Sequence, residues 1–131
     1  MRIDHIGLAV HSLERALSAF EPLLATKATT PETVESQQVR AVFLEAGETH
    51  FELLEPTRAD SPVGRFLERR GEGMHHVAFR VPSVDVALAG VRARGGRVID
   101  EVARPGARGR RVGFAHPSTF FGTLVEFVEG P

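Results

Sequence analysis

The sequence predicts an α+β fold in which two tandem βαβββ modules form one cupped eight-stranded mixed sheet. Three observations predict it. The opening strand is written twice: Ile3-Asp4-His5-Ile6-Gly7-Leu8-Ala9-Val10 returns as Met74-His75-His76-Val77-Ala78-Phe79-Arg80-Val81, with His76 standing 71 residues after His5 (76 − 5 = 71). The same offset holds through the next turn and helix, where Ser12, Leu13, Ala16 and Leu17 match Ser83, Val84, Ala87 and Leu88. A later strand also recurs, Phe51-Glu52-Leu53 as Val125-Glu126-Phe127, with offset 74 (126 − 52 = 74). A nearly constant offset across strand, turn and helix indicates one supersecondary unit used twice. The 131 residues suit a single domain. Its internal repeats are 1–60 and 72–131, joined by a short helix at 61–71.

Each element has its own local reason. Residues 2–10 alternate with the two-residue period of a strand, His5 sharing a face with Ile3, Gly7 and Ala9. Ser12 is placed to cap a helix whose apolar positions Leu13, Ala16, Leu17, Phe20 and Leu24 recur at helical spacing. Pro22 should end or kink that helix near its last turn. Residues 26–38 are polar and read as a loop with room for a short strand. Val39–Ala46 and Thr49–Glu55 form a hairpin turned at Gly47-Glu48. Ser61-Pro62 supplies a cap and a first helical residue for a helix through Arg70, which Gly71 stops. The second half repeats the plan: a strand at 74–81, then a helix from Ser83 with Val84, Ala87, Leu88 and Val91 inward, ending at Gly95-Gly96. Strands near 97–101, 110–115 and 123–129 complete it.

Composition narrows the function. Sixteen Lys and Arg against seventeen Asp and Glu give a formal net charge of −1, which recommends neither a nucleic-acid nor a membrane partner. No apolar run approaches a membrane span, and the chain enters a strand pattern at Arg2 where a signal peptide would need an apolar core. A cytoplasmic protein is expected. The absence of cysteine excludes disulfides, thiolate ligands and a Cys nucleophile. Any metal must be held by His and carboxylate.

The repeats then select four side chains. His5 and His76 occupy equivalent points of the two modules, as do Glu52 and Glu126. Strand parity agrees, because His76 shares a face with Met74 and Ala78 while His75 points with Val77 and Phe79. Glu126 lies inside Leu124-Val125-Glu126-Phe127-Val128, where burying a carboxylate is costly unless it is paired or coordinated. One His on a strand is usually a core or edge residue, and a mid-strand Glu usually faces solvent. Two such pairs at equivalent positions point instead to a divalent metal site at the seam of the sheet, with positions left for water or substrate. His11, His50 and His116 have no repeat partner and read as surface or supporting residues; His75 reads as structural.

These residues are similar to the methylmalonyl-CoA epimerases of the vicinal oxygen chelate superfamily. The resemblance runs through Ile3–Val10, Phe51–Pro56 and Asp60–Leu67, and is most specific at Arg70-Gly71-Glu72-Gly73-Met74-His75-His76-Val77-Ala78-Phe79. Arg104–Ala107, Phe114–Pro117 and Leu124–Glu126 follow it too. It implies His5, Glu52, His76 and Glu126 as metal ligands, for Co, Mn, Ni, Zn or Fe, and proton transfer at carbon 2 of an acyl-CoA substrate through an enolate. Glu126 is the first choice for a ligand that doubles as acid and base, and Glu52 the second. A homodimer is also implied.

The chain departs from the family pattern at two places. Ala41 stands where some members carry a further acid/base glutamate. Ser118-Thr119-Phe120-Phe121-Gly122 replaces a loop that normally carries Lys and paired glycines. Phe120 and Phe121 either narrow the acyl pocket or cover the sheet's edge. Arg104, Arg108, Arg110 and Arg111, spaced around Gly106 and Gly109, either hold coenzyme A phosphates or are simply solvated. Three rival functions share this fold: a glyoxalase-I-like lyase acting on a glutathione adduct, a ring-cleaving dioxygenase and a metal-free, bleomycin-type binder. A fourth ligand at Glu52 argues against the dioxygenase, and the full ligand set against the binder.

Overall fold

A computed structural model describes residues 1–130; Pro131, the last residue of the second repeat, lies outside the described residues. The elements run in chain order as β1 (Arg2–Ala9), α1 (Leu13–Leu24), β2 (Glu32–Val34), β3 (Val39–Ala46), β4 (Thr49–Pro56), α2 (Pro62–Arg70), β5 (Gly73–Val81), α3 (Val84–Ala93), β6 (Arg104–Pro105), β7 (Arg111–Ala115) and β8 (Val125–Glu129). The eight strands form one mixed sheet in the order β2-β3-β4-β1-β5-β8-β7-β6, as the twofold repeat of strand, helix and three strands requires. Two compact units divide the chain, one spanning His5–His75 and the other the first four residues with the chain from His76 onward.

In the His5–His75 unit, β1 pairs in parallel with β4, and β3 pairs antiparallel with β4. The expected helix positions of α1 do the packing. Leu13 joins Val10, Val42, Leu44 and Leu53 in a buried cluster, with Ala16, Leu17, Phe20 and Leu24 against it. Fully burying each such aliphatic side chain is worth roughly 1.5–3 kcal/mol. Ser12 caps the helix, its hydroxyl accepting the Arg15 amide. Pro22 is accommodated inside the last turn, and Ala25 ends it in the left-handed conformation. Ser61 does the same work for α2: its hydroxyl accepts the Gly64 amide at 3.0 Å and donates to the Arg58 carbonyl at 2.7 Å. That leaves a fully buried hydroxyl satisfied.

The second unit uses the same scheme. β5 pairs in parallel with β8, and β7 pairs antiparallel with β8. Val84, Leu88 and Val91 of α3 pack on Val81, Ala115, Val125 and Phe127, with Ala87 alongside. Gly113 makes this approach possible, since a Cβ there would lie 2.7 Å from Leu88 Cδ1 and 2.9 Å from Val84 Cγ1. The strand expected near 97–101 is not formed. Only a single bridge, Val98 to Ala115, survives there. Beyond it the amides of Ile99 and Asp100 converge on one carbonyl, that of Phe114, while the Asp100 carboxylate takes the Phe114 amide at 2.8 Å. A side chain occupies the ladder position, so pairing stops, and the sheet gains its last strand as the two residues of β6.

Candidate metal centre

Register places the ligand candidates identically in the two units. In the first, Glu52 stands opposite Gly7 on β1 and Phe43 on β3, with His5 two residues before Gly7 on the same strand face. In the second, Glu126 stands opposite Ala78 on β5 and Phe114 on β7, with His76 two residues before Ala78. Each imidazole therefore meets its own module's carboxylate. His5 Nε2 lies 3.2 Å from Glu52 Oε1, and His76 Nε2 lies 3.0 Å from Glu126 Oε1. An edge-on phenylalanine fixes each ring: Phe43 against His5 at 5.5 Å between centroids, Phe114 against His76 at 5.6 Å. These two phenylalanines are themselves repeat-equivalent (114 − 43 = 71), a match the strand motifs alone did not expose.

The four candidates come together. His5, Glu52, His76 and Glu126 are all buried, and each offers one ligand atom within 4.8 Å of the others. Each is about 3% exposed, and the other buried polar residues of the described chain are Asp4 and Ser61. Two neutral imidazoles and two carboxylates balance the charge of a divalent cation. Without one, two carboxylates would sit desolvated beside each other, a costly arrangement. The donor set fits a divalent first-row metal.

Asp4 has a separate role that the sequence did not reveal. It is 2% exposed and adjoins His5 in the chain. Arg80 donates to its Oδ1 from Nε at 3.1 Å and from NH2 at 2.7 Å. Arg110 donates to Oδ1 at 2.8 Å and Oδ2 at 3.0 Å, and its Nε donates to the Glu129 carbonyl. Two guanidiniums thus clamp one buried carboxylate. At the equivalent position of the second module, His75 instead packs edge-on against Phe66 at 4.9 Å.

The remaining candidates scatter. Arg104 lies beside the centre, its guanidinium over the Phe114 ring at 5.4 Å and its Nε 3.1 Å from Asp100. Arg110 is taken up by Asp4, and Arg111 pairs with Asp85 at 2.9 Å and Glu129 at 3.6 Å. Arg108 is exposed, with φ of +63°. Phe120 lines a cavity with Val125 and Phe127, on the face of β8 opposite Glu126, and Phe121 is fully exposed. Ala41 is 1% exposed and stands opposite Leu54, so no titratable group occupies its place. His50 shares the Glu52 face of β4 and meets Phe43 edge-on at 6.3 Å. The main-chain amide of His11 donates to the Glu72 carboxylate. His116 Nδ1 accepts the Ser118 amide.

The chain is similar in sequence and fold to known proteins. The Glyoxalase/Bleomycin resistance protein/Dioxygenase superfamily profile matches residues 4–114. The mitochondrial methylmalonyl-CoA epimerase of Bos taurus is 36% identical over 98% of this chain and 74% of its own length. An ethylmalonyl-CoA/methylmalonyl-CoA epimerase of Cereibacter sphaeroides is 32% identical over 98% of this chain and 97% of its own. Among solved structures, Streptomyces coelicolor methylmalonyl-CoA epimerase in complex with 2-nitronate-propionyl-CoA superposes with a TM-score of 0.94 at 38% identity, covering 99% of this chain and 94% of that one. With its repeated His and Glu strands, the chain belongs to the glyoxalase, bleomycin resistance protein and dioxygenase superfamily and, within it, to the methylmalonyl-CoA epimerases.

Proposed function

We propose that this chain is an isomerase that inverts carbon 2 of methylmalonyl-CoA. The observation that carries the reading is the buried cluster of His5, Glu52, His76 and Glu126, in a chain whose relatives are named for that reaction. Carbon 2 lies between a thioester carbonyl and a carboxylate, so removing its proton leaves a delocalised enolate. A divalent ion held by the four side chains, whether Co, Mn, Ni, Zn or Fe, would supply Lewis-acid stabilisation of the negative charge that develops on oxygen.

The protein's own groups move the proton. Glu126, on β8 with Phe114 across from it, takes the proton from carbon 2; Glu52 is the second choice for this role. Inversion requires that the proton return to the opposite face of the planar enolate. Phe43 and Phe114 hold the two imidazoles edge-on, and the shared burial of all four donors keeps bulk water away from the enolate. Arg104, beside Phe114, and Arg108 are the loop arginines proposed to meet the anionic groups of coenzyme A, although Arg104 pairs with Asp100 as Arg110 and Arg111 pair with other carboxylates. Phe120 and Phe121 would bear on the acyl chain only through the turn that leads into β8. The working form is taken to be a cytoplasmic homodimer; no helix among the described residues is long and apolar enough to cross a membrane.

The deciding experiment is deuterium exchange at carbon 2 of methylmalonyl-CoA in heavy water, with metal-loaded protein and with Glu126→Gln. Metal-dependent exchange that the variant loses supports both the reaction and the role of Glu126. No exchange with any of the five metals would overturn the reading and return attention to a glutathione adduct or to binding without catalysis.

A further inference from the structure

One buried ion cluster touches three of the four strands that carry the candidate ligands. Asp4, on β1, directly precedes His5; Arg80, on β5, follows His76 by four residues; Glu129, on β8, follows Glu126 by three. Arg80 gives the Asp4 carboxylate two hydrogen bonds, at 3.1 and 2.7 Å, and Arg110 gives it a forked pair, at 2.8 and 3.0 Å. Both arginines are also seated where β8 ends. Arg110 Nε donates to the Glu129 carbonyl at 2.8 Å. The Arg80 stem crosses Gly130 so closely that a Cβ there would lie 3.0 Å from Arg80 Cδ.

The chain passes between its two compact units at Asp4–His5 and again at His75–His76. Asp4 and its two arginines belong to one unit, and His5 opens the other. A binding constellation works only when its groups are held to within about 0.5 Å of the productive geometry. On its N-terminal side, His5 is held through the main chain of Asp4. Hydrogen bonds from two planar donors fix that main chain directionally, which apolar packing does not do. A buried ion cluster adds little net stability over an apolar replacement, and its best-attested use is to specify one register. The other histidine is supported differently. His75, the repeat equivalent of Asp4, packs edge-on against Phe66 at 4.9 Å. The clamp therefore serves His5 alone.

We propose that Asp4, Arg80 and Arg110 are positioning residues for the metal centre. By fixing the main chain at Asp4 against the strands of His76 and Glu126, they set the place of the His5 imidazole among the donors. The role presupposes the divalent ion of the epimerase reading and governs how tightly, and in what geometry, that ion is held.

The test is titration of the metal-free 131-residue chain with Co(II), read by the visible ligand-field spectrum, which reports affinity and coordination geometry together. Arg110→Lys keeps the charge and loses the fork. Asp4→Asn/Arg80→Met/Arg110→Met removes the whole cluster and leaves no buried charge stranded, so a folded protein is at hand even where a single variant unfolds. It also removes two cations for one anion, which by charge alone would tighten a metal ion, so weaker binding reports geometry. Leu88→Ala opens a cavity among Val84, Val91 and Phe127 and controls for lost stability. The Co(II) Kd is expected to rise about tenfold or more in both clamp variants, with bands that shift or change intensity, while Leu88→Ala keeps the wild-type Kd and spectrum. Wild-type affinity and spectrum in the folded triple variant overturn the positioning role and leave the metal centre standing. An equal change in Leu88→Ala also overturns the role. A wild type that binds no Co(II) overturns the role and the metal centre together.

Discussion

Glu55 and Glu129 do the same work in the two modules: each carboxylate accepts the first amide of its own helix. Glu55 Oε2 takes the Leu13 amide at 2.9 Å, and Glu129 Oε2 takes the Val84 amide at 3.0 Å. Each lies three residues beyond a candidate ligand glutamate on the same strand, and each also meets an arginine, Arg40 at 2.8 Å and Arg111 at 3.6 Å. The positive end of each helix is thus fastened by a charge to the strand that carries a candidate ligand. Replacing either glutamate with alanine leaves a helix amide without its partner, and should cost about 1–3 kcal/mol in unfolding free energy. Urea unfolding of the metal-free variants measures this. Losses under about 0.5 kcal/mol at both positions would mean the contacts are incidental.

The Asp4 clamp makes a sharper prediction because it is buried. With Asp4→Ala, the Arg110 side chain, only 11% exposed, loses both carboxylate bonds and keeps its charge. Breaking one partner of a buried ion pair typically costs 3–5 kcal/mol, roughly, because the other charge is left uncompensated. The double variant Asp4→Ala/Arg110→Met removes that charge and should recover part of the loss. Equal stability of the single and double variants in urea would show that the lost stability lies elsewhere than in the stranded guanidinium.

An exposed pair behaves differently. The Arg58 guanidinium donates to Asp60 from Nε at 2.9 Å and from NH2 at 3.1 Å, and holds that carboxyl below its usual range, first by hydrogen bonding and then by charge. A depressed folded-state value means the pair contributes above the unfolded pKa of Asp60, and that the contribution disappears as pH falls through the folded value. Both groups are fully exposed, so water screens them. Asp60→Asn should therefore melt with wild type at pH 7 and at acid pH alike. A pH-dependent gap between the two melting curves would show the pair to be structurally coupled to the Ser61 cap beside it.

The strands that contain the four candidate ligands, and the helices packed on them, were legible because their signals are local and doubled. Parity put His5 and His76 on matching faces, and spacing put Leu13 and Leu88 inward. The strand expected at 97–101 failed because a side chain, Asp100, competes for the Phe114 amide, and that competition has no periodic signature. Asp4 escaped notice for a related reason. Its partners Arg80 and Arg110 are distant in sequence, and the repeat offers His75 rather than a second aspartate.

Metal binding should appear as stability before it appears as catalysis. The donor atoms of two carboxylates and two imidazoles lie within 4.8 Å of one another in a buried place, so the metal-free protein bears an electrostatic cost that a divalent ion removes. An ion that binds only the folded state adds about 2.7 kcal/mol when present at 100 times its Kd. For a chain of this length that corresponds to a rise of roughly 10 °C in Tm, reversed by a chelator. His5→Ala and His76→Ala should lose most of the rise. Glu126→Gln should also lose it, yet melt no lower than wild type when both are metal-free, because the substitution removes one of the crowded buried charges. Thermal melts with Co(II), Mn(II) and Zn(II), each repeated in chelator, measure all of this. Metal-independent melting of the wild type would refute the site outright. A metal-free Glu126→Gln protein that melts well below wild type would place Glu126 in the core's hydrogen-bonded framework rather than in an ion-binding role.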